Sequence, residues 1–172
     1  MSSDFSRRPE GFQRVAQALA ERGHPQAPVW LDVAVRTAQE AADALNVSVG
    51  QIAKSVIFRR KADDVAVLVV TSGDQRVDEK RVAAIAGALG RADADFVKAR
   101  TGFSIGGVSP VAHSTPCVTL IDRELFRFDV IWAAAGHPNG VFSLTPDELV
   151  RMTGAPVTDV VQVVAAHQVP QP

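Results

Sequence analysis

The chain has 172 residues, of which 47% are hydrophobic and 22% are charged. This composition is typical of a globular protein, and a domain of about 150 residues can bury roughly 70% of its unfolded surface. The formal net charge of −1 argues against a protein that holds nucleic acid by general electrostatics, because such proteins are usually strongly basic. We expect a single domain over residues 1–172, with its core at about 12–164.

The only cysteine is Cys117, so neither an intramolecular disulfide nor a cysteine zinc cluster is expected. The N-terminus lacks the apolar core of a signal peptide, and no apolar run approaches the ~20 residues that span a bilayer. We therefore expect a cytoplasmic protein with no membrane or DNA partner. Any RNA contact should be local, because the cations fall in short clusters typical of solvated surfaces. These clusters are Arg7-Arg8, Arg59-Arg60-Lys61, Lys80-Arg81 and Lys98 with Arg100.

Hydrophobic periodicity, capping boxes and turn residues predict the elements along the chain. In chain order they are a helix over 12–22, a strand over 29–35, helices over 37–45 and 48–51, strands over 54–59 and 65–71, a helix over 78–89, strands over 118–121 and 129–135, a helix over 145–154 and a strand over 157–164. Strand pairs with helices placed irregularly between them indicate an α+β fold rather than regular βαβ winding.

Lys54 is the first candidate for chemistry. On a strand over 54–59, Lys54 shares a face with Val56 and Phe58, and a lysine on an apolar face is costly to bury unless an anion meets it. Alternatively, Lys54 is the first residue of the strand and its ammonium group reaches water.

A glycine-rich segment over 101–110 (TGFSIGGVSP) is predicted to be a loop. Within it, Gly106 and Pro110 form a G-x-x-x-P segment. Glycine lets the backbone approach a ligand closely and aim N–H groups at an oxygen atom, so this loop could stabilise the oxyanion of an attacked ester. An ordinary surface loop with tight turns is the alternative.

The same segment contains a G-x-S-x-G pattern centred on Ser104, which matches the nucleophile elbow of serine hydrolases. Asp122 or Asp129 and then His137 follow in the required order. The context argues against this interpretation, because residues 95–100 are too polar for the buried strand that precedes such a serine. The glycines after Ser104 also forbid an immediate helix.

The four histidines are scattered without metal-ligand spacing, so no metal site is expected. No Walker loop or dinucleotide fingerprint is present, and no cofactor is expected. His137 lies in a turn-rich segment directly after a predicted strand, where functional groups are often mounted; it could equally be an exposed loop histidine.

Four segments together resemble the YbaK/ProX family of aminoacyl-tRNA deacylases, which are related to the editing domain of bacterial prolyl-tRNA synthetases. The segments are 51–55 (QIAKS), 65–73, 104–110 (SIGGVSP) and 136–138 (GHP). The resemblance covers roughly residues 12–164. It implies a mixed, barrel-like β-sheet flanked by helices, and a trans-editing hydrolase that removes a wrong amino acid from tRNA.

The resemblance also implies roles for particular residues. Lys54 matches the family's functional lysine, and His137 matches a histidine of members that act on small side chains such as alanine. The absence of an acidic residue near Val141 argues against a cysteinyl substrate, so alanine on tRNA for proline is expected. The implied substrate-binding residues are Gly106, Ser109, Pro110, His137, Ser72 and Gly73.

On the mechanism that we expect, Lys54 binds phosphate or ester oxygens and the N–H groups of Gly107 and Val108 stabilise the oxyanion. Water is the nucleophile, activated by a substrate hydroxyl or amine or by His137. Two other functions stay open at this point: a non-catalytic module that binds tRNA or a synthetase, and a serine esterase that uses Ser104. An aminoacyl-tRNA synthetase is a further candidate partner.

Overall fold

Two strands rich in β-branched residues form the centre of the sheet in the computed structural model, which describes residues 7–163. Strand β2 spans Ile52–Arg60 and strand β3 spans Ala66–Ser72. They pair antiparallel, with Val56 opposite Val69. Every residue of β3 is buried, as expected for a continuous apolar run covered on both faces. The predicted hairpin is confirmed.

Six further strands complete the sheet within residues 7–163. They are β1 (Val29–Trp30), β4 (Leu89–Arg91), β5 (Val118–Asp122), β6 (Ile131–Ala134), β7 (Gly140–Leu144) and β8 (Val157–Thr158). The order is β1-β7-β6-β2-β3-β5-β8, and β4 also pairs with β2. The β2–β6, β3–β5 and β5–β8 pairs are parallel and the others antiparallel. The sheet is mixed and barrel-like but not closed, which confirms the predicted α+β fold.

Five α-helices lie among the described residues: α1 (Glu10–Glu21), α2 (Ala38–Leu45), α3 (Glu79–Ala86), α4 (Ala94–Thr101) and α5 (Pro146–Thr153). The predicted capping boxes of Thr37 and Thr145 are both formed. The short predicted helix is a 3₁₀ turn over Val49–Gln51. In this part of the chain, no helix is both long and apolar enough to cross a membrane.

Helices cover both faces of the sheet because successive strand residues point to opposite sides. On one face, Leu68 and Val70 pack in a cluster with Phe12 of α1 and Leu149 of α5. On the other face, Val67 and Val69 pack against Val82 of α3. Helix α2 covers a third cluster that includes Ile52, at the start of β2. This arrangement places α2 beside the first residues of β2.

Several predicted boundaries are wrong. The strand predicted over 29–35 ends at Trp30, because Leu31 and Val35 instead donate hydrogen bonds to the carbonyls of residues in a loop, 138–139. The helix predicted over 78–89 ends at Ala86, since Gly87 has a φ of +98° that breaks it; the residues that follow form β4.

The last predicted strand, 157–164, is a strand only at Val157–Thr158, and its final residue lies outside the described residues. Helix α4 and strands β4 and β7 were not predicted. The polar sequence of α4 gives little hydrophobic periodicity, and its clearest signal is the Asp93 side chain, which accepts a hydrogen bond from the N–H of Phe96 at 2.8 Å.

The fold predicts a large difference between two apolar truncations. Leu68→Ala leaves a cavity at a fully buried position and should lower the free energy of unfolding by about 2–5 kcal/mol. Ile85→Ala, at a position 54% exposed on α3, should change it by less than about 0.5 kcal/mol. Urea unfolding followed by fluorescence of Trp30 and Trp132 measures both. Equal effects of the two substitutions would contradict the packing.

Candidate active site

The sheet is interrupted on one side of β2. Ile52 and Ala53 pair with β6, whereas pairing with β4 begins only at Phe58. No described strand pairs with residues 54–57 on that side, and we call this stretch the open edge of β2. Because a strand in a sheet normally satisfies its backbone groups on both sides, the interruption leaves main-chain donors and acceptors for another purpose.

A cavity of about 410 Å³ lies against the open edge of β2. Its walls are the segment leading into α2, the end of β6, and the glycine loop (residues 104–110), which contributes Ile105, Gly106 and Val108. Most of the lining is apolar. The charged side chains that line it are Arg36 and Lys54, and no carboxylate in the described part of the chain lines it. The cavity therefore suits a ligand that is largely apolar and carries negative charge.

Lys54 is half-buried at the edge of this cavity. The strand begins two residues earlier, at Ile52, so Lys54 is not its first residue. Burial lowers the pKa of Lys54, Arg76 lowers that pKa further, and Asp74 opposes both effects. Asp74 is itself paired with Arg127 at 2.8 Å. Among residues 7–163, Lys54 has no ion-pair partner, so its charge is available to an anionic ligand.

The glycine loop needs both of its central glycines. Gly106 has a φ of +95°, and a Cβ atom on Gly107 would lie 2.7 Å from the Cα of His137. The N–H of Gly107 donates to the carbonyl of Ser104 at 3.0 Å, so it is not free to meet an oxyanion in this conformation. The N–H of Val108 has no acceptor within residues 7–163, which leaves it as the donor of the predicted pair.

Ser109 and Pro110 are buried behind the cavity rather than lining it. The carbonyl of Ser109 lies 2.7 Å from the Nε2 atom of His113, and its Oγ accepts a hydrogen bond from the N–H of Val111. These contacts hold the base of the glycine loop. A supporting role is the one that their positions allow.

Ser72 and Gly73 also lie outside the cavity lining. The hydroxyl of Ser72 donates to the carbonyl of Gly50 and accepts from Arg127 at 2.9 Å. A Cβ atom on Gly73 would lie 2.8 Å from that of Ala38, at the start of α2. The two residues thus join the end of β3 to the helix that walls the cavity.

His137 lies beside the glycine loop and stacks on Trp30, with 4.9 Å between the ring centroids. Its Nδ1 atom accepts a hydrogen bond from the N–H of Asn139 at 3.0 Å. Burial, followed by the charge of Arg36, lowers the pKa of His137, which favours the neutral ring. Since Nδ1 is the acceptor, the proton of the neutral ring lies on Nε2. In this arrangement His137 is a hydrogen-bond donor rather than a base.

Ser104 does not have the surroundings of an activated nucleophile. It is exposed, and it follows helix α4 rather than the strand that a nucleophile elbow requires. No histidine or carboxylate is hydrogen-bonded to it among the described residues. Asp122 is committed elsewhere, because it accepts from the N–H groups of Glu124 and Val160.

One predicted cation cluster is largely neutralised locally. Arg59 pairs with Asp64 at 2.8 Å, and Arg60 pairs with Asp63 at 2.9 Å. In contrast, Arg36 lines the cavity and has neither an ion pair nor a side-chain hydrogen bond within residues 7–163. Arg36 directly precedes the capping box of α2. This is the only signal in the sequence for the position of Arg36.

Ser55 is a second residue that the sequence analysis did not select. It lines the cavity next to Lys54, and its Oγ is buried without a hydrogen-bond partner in the described part of the chain. Neither the residue type nor its neighbours signal this. A further cavity of about 490 Å³ lies between α1 and residues 24–28, but none of the predicted site residues lines it.

The electrostatic surroundings of Lys54 predict how its ionisation responds to substitution. Its pKa should lie below 10.5, the usual value for lysine, because burial disfavours the charged form. Arg76→Gln should raise that pKa and Asp74→Asn should lower it further. Titration of the Lys54 side chain by NMR measures all three values. A pKa at or above 10.5 in the unsubstituted protein would contradict this description of the site.

Comparisons with known proteins identify relatives of this chain and of its fold. The uncharacterised protein YwhH of Bacillus subtilis (strain 168) is 36% identical over 114 residues, which cover 66% of this chain and 72% of that protein. The crystal structure of a candidate trans-editing enzyme for prolyl tRNA synthetase has a TM-score of 0.83 and 39% identity, covering 90% of this chain and 99% of that chain. The hypothetical protein APE2540 has a TM-score of 0.79 and 33% identity, covering 87% and 99%.

A family model also matches residues 32–152, and it describes the aminoacyl-tRNA editing domain. The matched range contains the open edge of β2, the glycine loop and His137. Together with the relatives of similar length, this match confirms the resemblance found in the sequence. The chain belongs to the aminoacyl-tRNA editing domain family.

Proposed function

We propose that this protein is a trans-editing deacylase that hydrolyses the ester between a wrongly attached amino acid and tRNA, with alanine on tRNA for proline as its substrate. The observation that carries the proposal is Lys54, which has no ion-pair partner among residues 7–163 and lies at the edge of an apolar cavity with no carboxylate in its described lining. The likeness to a candidate trans-editing enzyme for prolyl tRNA synthetase supports the choice of tRNA.

The charge distribution fits the 3′ end of an aminoacylated tRNA. Lys54 and Arg36 lie at the same cavity, and both are free to meet phosphate or ester oxygens, which are anionic or strongly polar. The net charge of −1 gives little general attraction for the rest of the tRNA. A prolyl-tRNA synthetase that holds the same tRNA would raise its effective concentration at this site.

The cavity walls favour a small aliphatic side chain. Ala92, Val97 and Ala133 are among the residues that line it, and they offer no partner to a polar or charged side chain. Proline would have to be excluded by its size and ring. One methylene group is worth about 1–3 kcal/mol of discrimination in an apolar pocket, so size selection in a separate editing site adds usefully to selection during charging.

The chemistry that we propose is direct hydrolysis. Water attacks the ester carbonyl, the bond from that carbon to the ribose oxygen breaks, and the ribose oxygen leaves with a proton. The N–H of Val108, which has no acceptor among the described residues, is the oxyanion donor that the glycine loop offers. Because Nδ1 of His137 already accepts a hydrogen bond, a hydroxyl of the substrate is the better candidate to activate the water.

Removal of the Lys54 charge should abolish editing without unfolding the protein. Lys54→Ala should lower kcat/KM for alanyl-tRNA for proline by about 100-fold or more, because misplacing the ester by about 1 Å already has an effect of that size. Lys61→Ala is the matched control, since Lys61 is an exposed lysine outside the cavity. Release of radiolabelled amino acid measures activity, and circular dichroism checks the fold.

The choice of amino acid is tested with the same tRNA carrying alanine, cysteine or proline. We expect rapid loss of alanine and retention of proline. Rapid loss of proline would contradict the proposed selection by size. Tight binding of all three without turnover would instead indicate a non-catalytic tRNA-binding module.

The serine-esterase alternative makes an opposite prediction at Ser104. Because no described residue activates the Ser104 hydroxyl, Ser104→Ala should keep kcat/KM for alanyl-tRNA within about twofold of the unsubstituted protein. A fluorophosphonate probe should not label the protein. Labelling that disappears in the Ser104→Ala variant, with loss of hydrolysis, would overturn direct hydrolysis by water.

A further inference from the structure

The open edge of β2 presents the main chain of Ser55 to the cavity. The N–H of Arg60 donates to the carbonyl of Val65, which directly precedes β3. The N–H of Lys61 donates to the carbonyl of Ala88, which directly precedes β4. Backbone groups of successive residues in a strand point to alternate sides, and the register from Ala53 to Arg59 is continuous. The backbone N–H and C=O groups of the odd-numbered residues of β2 therefore point away from β3. The N–H and C=O of Ser55 face the gap between β6 and β4.

The side chain of Ser55 adds a second polar group at the same place. Its Oγ is buried and has no hydrogen-bond partner among residues 7–163. Its neighbours along that face of β2 are Ala53 and Ile57, which pack in the main apolar cluster. Their side chains have no group that could hydrogen-bond to Ser55. Buried hydroxyls in folded proteins are usually hydrogen-bonded, so the Oγ of Ser55 has hydrogen-bonding capacity left for a group bound in the cavity.

The other hydroxyl at the cavity does not offer the same opportunity. Thr37 also lines the cavity, but its Oγ1 accepts a hydrogen bond from the N–H of Glu40 at 3.1 Å and caps helix α2. Thr71 has a buried Oγ1 without a partner, but it does not line the cavity. Ser55 is thus the free hydroxyl of the described cavity lining.

An aminoacyl ester carries an α-amino group, which donates several hydrogen bonds and, when protonated, is a cation. Cations of this kind are usually met by carboxylates, yet no described carboxylate lines the cavity. The acceptors at the open edge of β2 are neutral, and they include the Oγ and the carbonyl oxygen of Ser55. Two acceptors on one residue suit a group with several N–H donors.

We propose that Ser55 binds the α-amino group of the aminoacyl ester through its Oγ and its main-chain carbonyl. Ser55 is then a substrate-binding residue that selects an α-amino acid as the acyl group. The inference rests on the proposed deacylase function. It assigns the two residues at the start of the open edge to opposite ends of the ligand, Lys54 to its anionic groups and Ser55 to its amino group.

The test compares two acyl groups on the same tRNA for proline: alanyl, and propionyl, which has hydrogen in place of the amino group. The measured quantity is kcat/KM for release of each acyl group by the unsubstituted protein, Ser55→Ala and Ser55→Thr. In Ser55→Ala, kcat/KM for alanyl-tRNA should fall by about 10- to 100-fold, in the range expected for a hydrogen bond to a charged group. The variant should lose less than threefold on propionyl-tRNA.

Two controls separate binding from structural effects. Ser55→Thr keeps the hydroxyl and should recover most of the preference for alanyl over propionyl. Thr71→Val removes a buried hydroxyl that does not line the cavity, and it should leave the alanyl-to-propionyl ratio of the unsubstituted protein unchanged. Because the result is a ratio between two substrates in one variant, a partly unfolded preparation does not alter it.

Equal losses on both acyl groups in Ser55→Ala would overturn the proposal and would indicate that Ser55 holds the attacking water. Unchanged rates on both would overturn it as well. Failure of the unsubstituted protein to hydrolyse alanyl-tRNA under any condition would refute the proposed function itself. That outcome is distinct from the other two, since it is read before any variant is compared.

Discussion

The structure of the site depends on one interruption in the backbone pairing of the sheet. β2 is flanked by β3 along nearly its whole length, but its other side meets β6 at its first two residues and β4 only from Phe58. A sheet that closed over this gap would leave no room for the cavity. The interruption brings main-chain groups, Lys54 and Ser55 to one apolar surface, between α2 on one side and the glycine loop on the other.

The rest of the fold keeps this gap open. β3 is buried on both faces, so the hairpin cannot shift its register without moving an entire apolar set to the wrong side. Ser72 and Gly73 tie the end of β3 to the 3₁₀ turn and α2. On the other wall, Gly107 lies so close to the backbone of His137 that a side chain could not fit there. Both walls are thus fixed by close packing.

Sequence reasoning predicted the hairpin, the capped helices and the family, because these leave strong local signals: β-branched runs, T-x-x-E boxes and glycine-rich spacing. It selected Lys54 and the glycine loop for the same reason. It did not select Arg36 or Ser55. These two side chains matter because they have no ion-pair or hydrogen-bond partner among the described residues. The occupied N–H of Gly107 was also invisible, because a turn within the loop uses it. Whether a side chain lacks a partner depends on tertiary contacts, which the order of residues does not show.

The central claim is that the cavity at the open edge of β2 binds the aminoacyl end of tRNA. It is tested most directly by NMR with a non-hydrolysable analogue, in which an amide replaces the ester between alanine and the terminal adenosine. We expect chemical-shift changes in the backbone amides of residues 54–57 and of Val108, and we expect Lys54→Ala to weaken the binding. Changes confined to the cavity between α1 and residues 24–28, or none at saturating analogue, would contradict it.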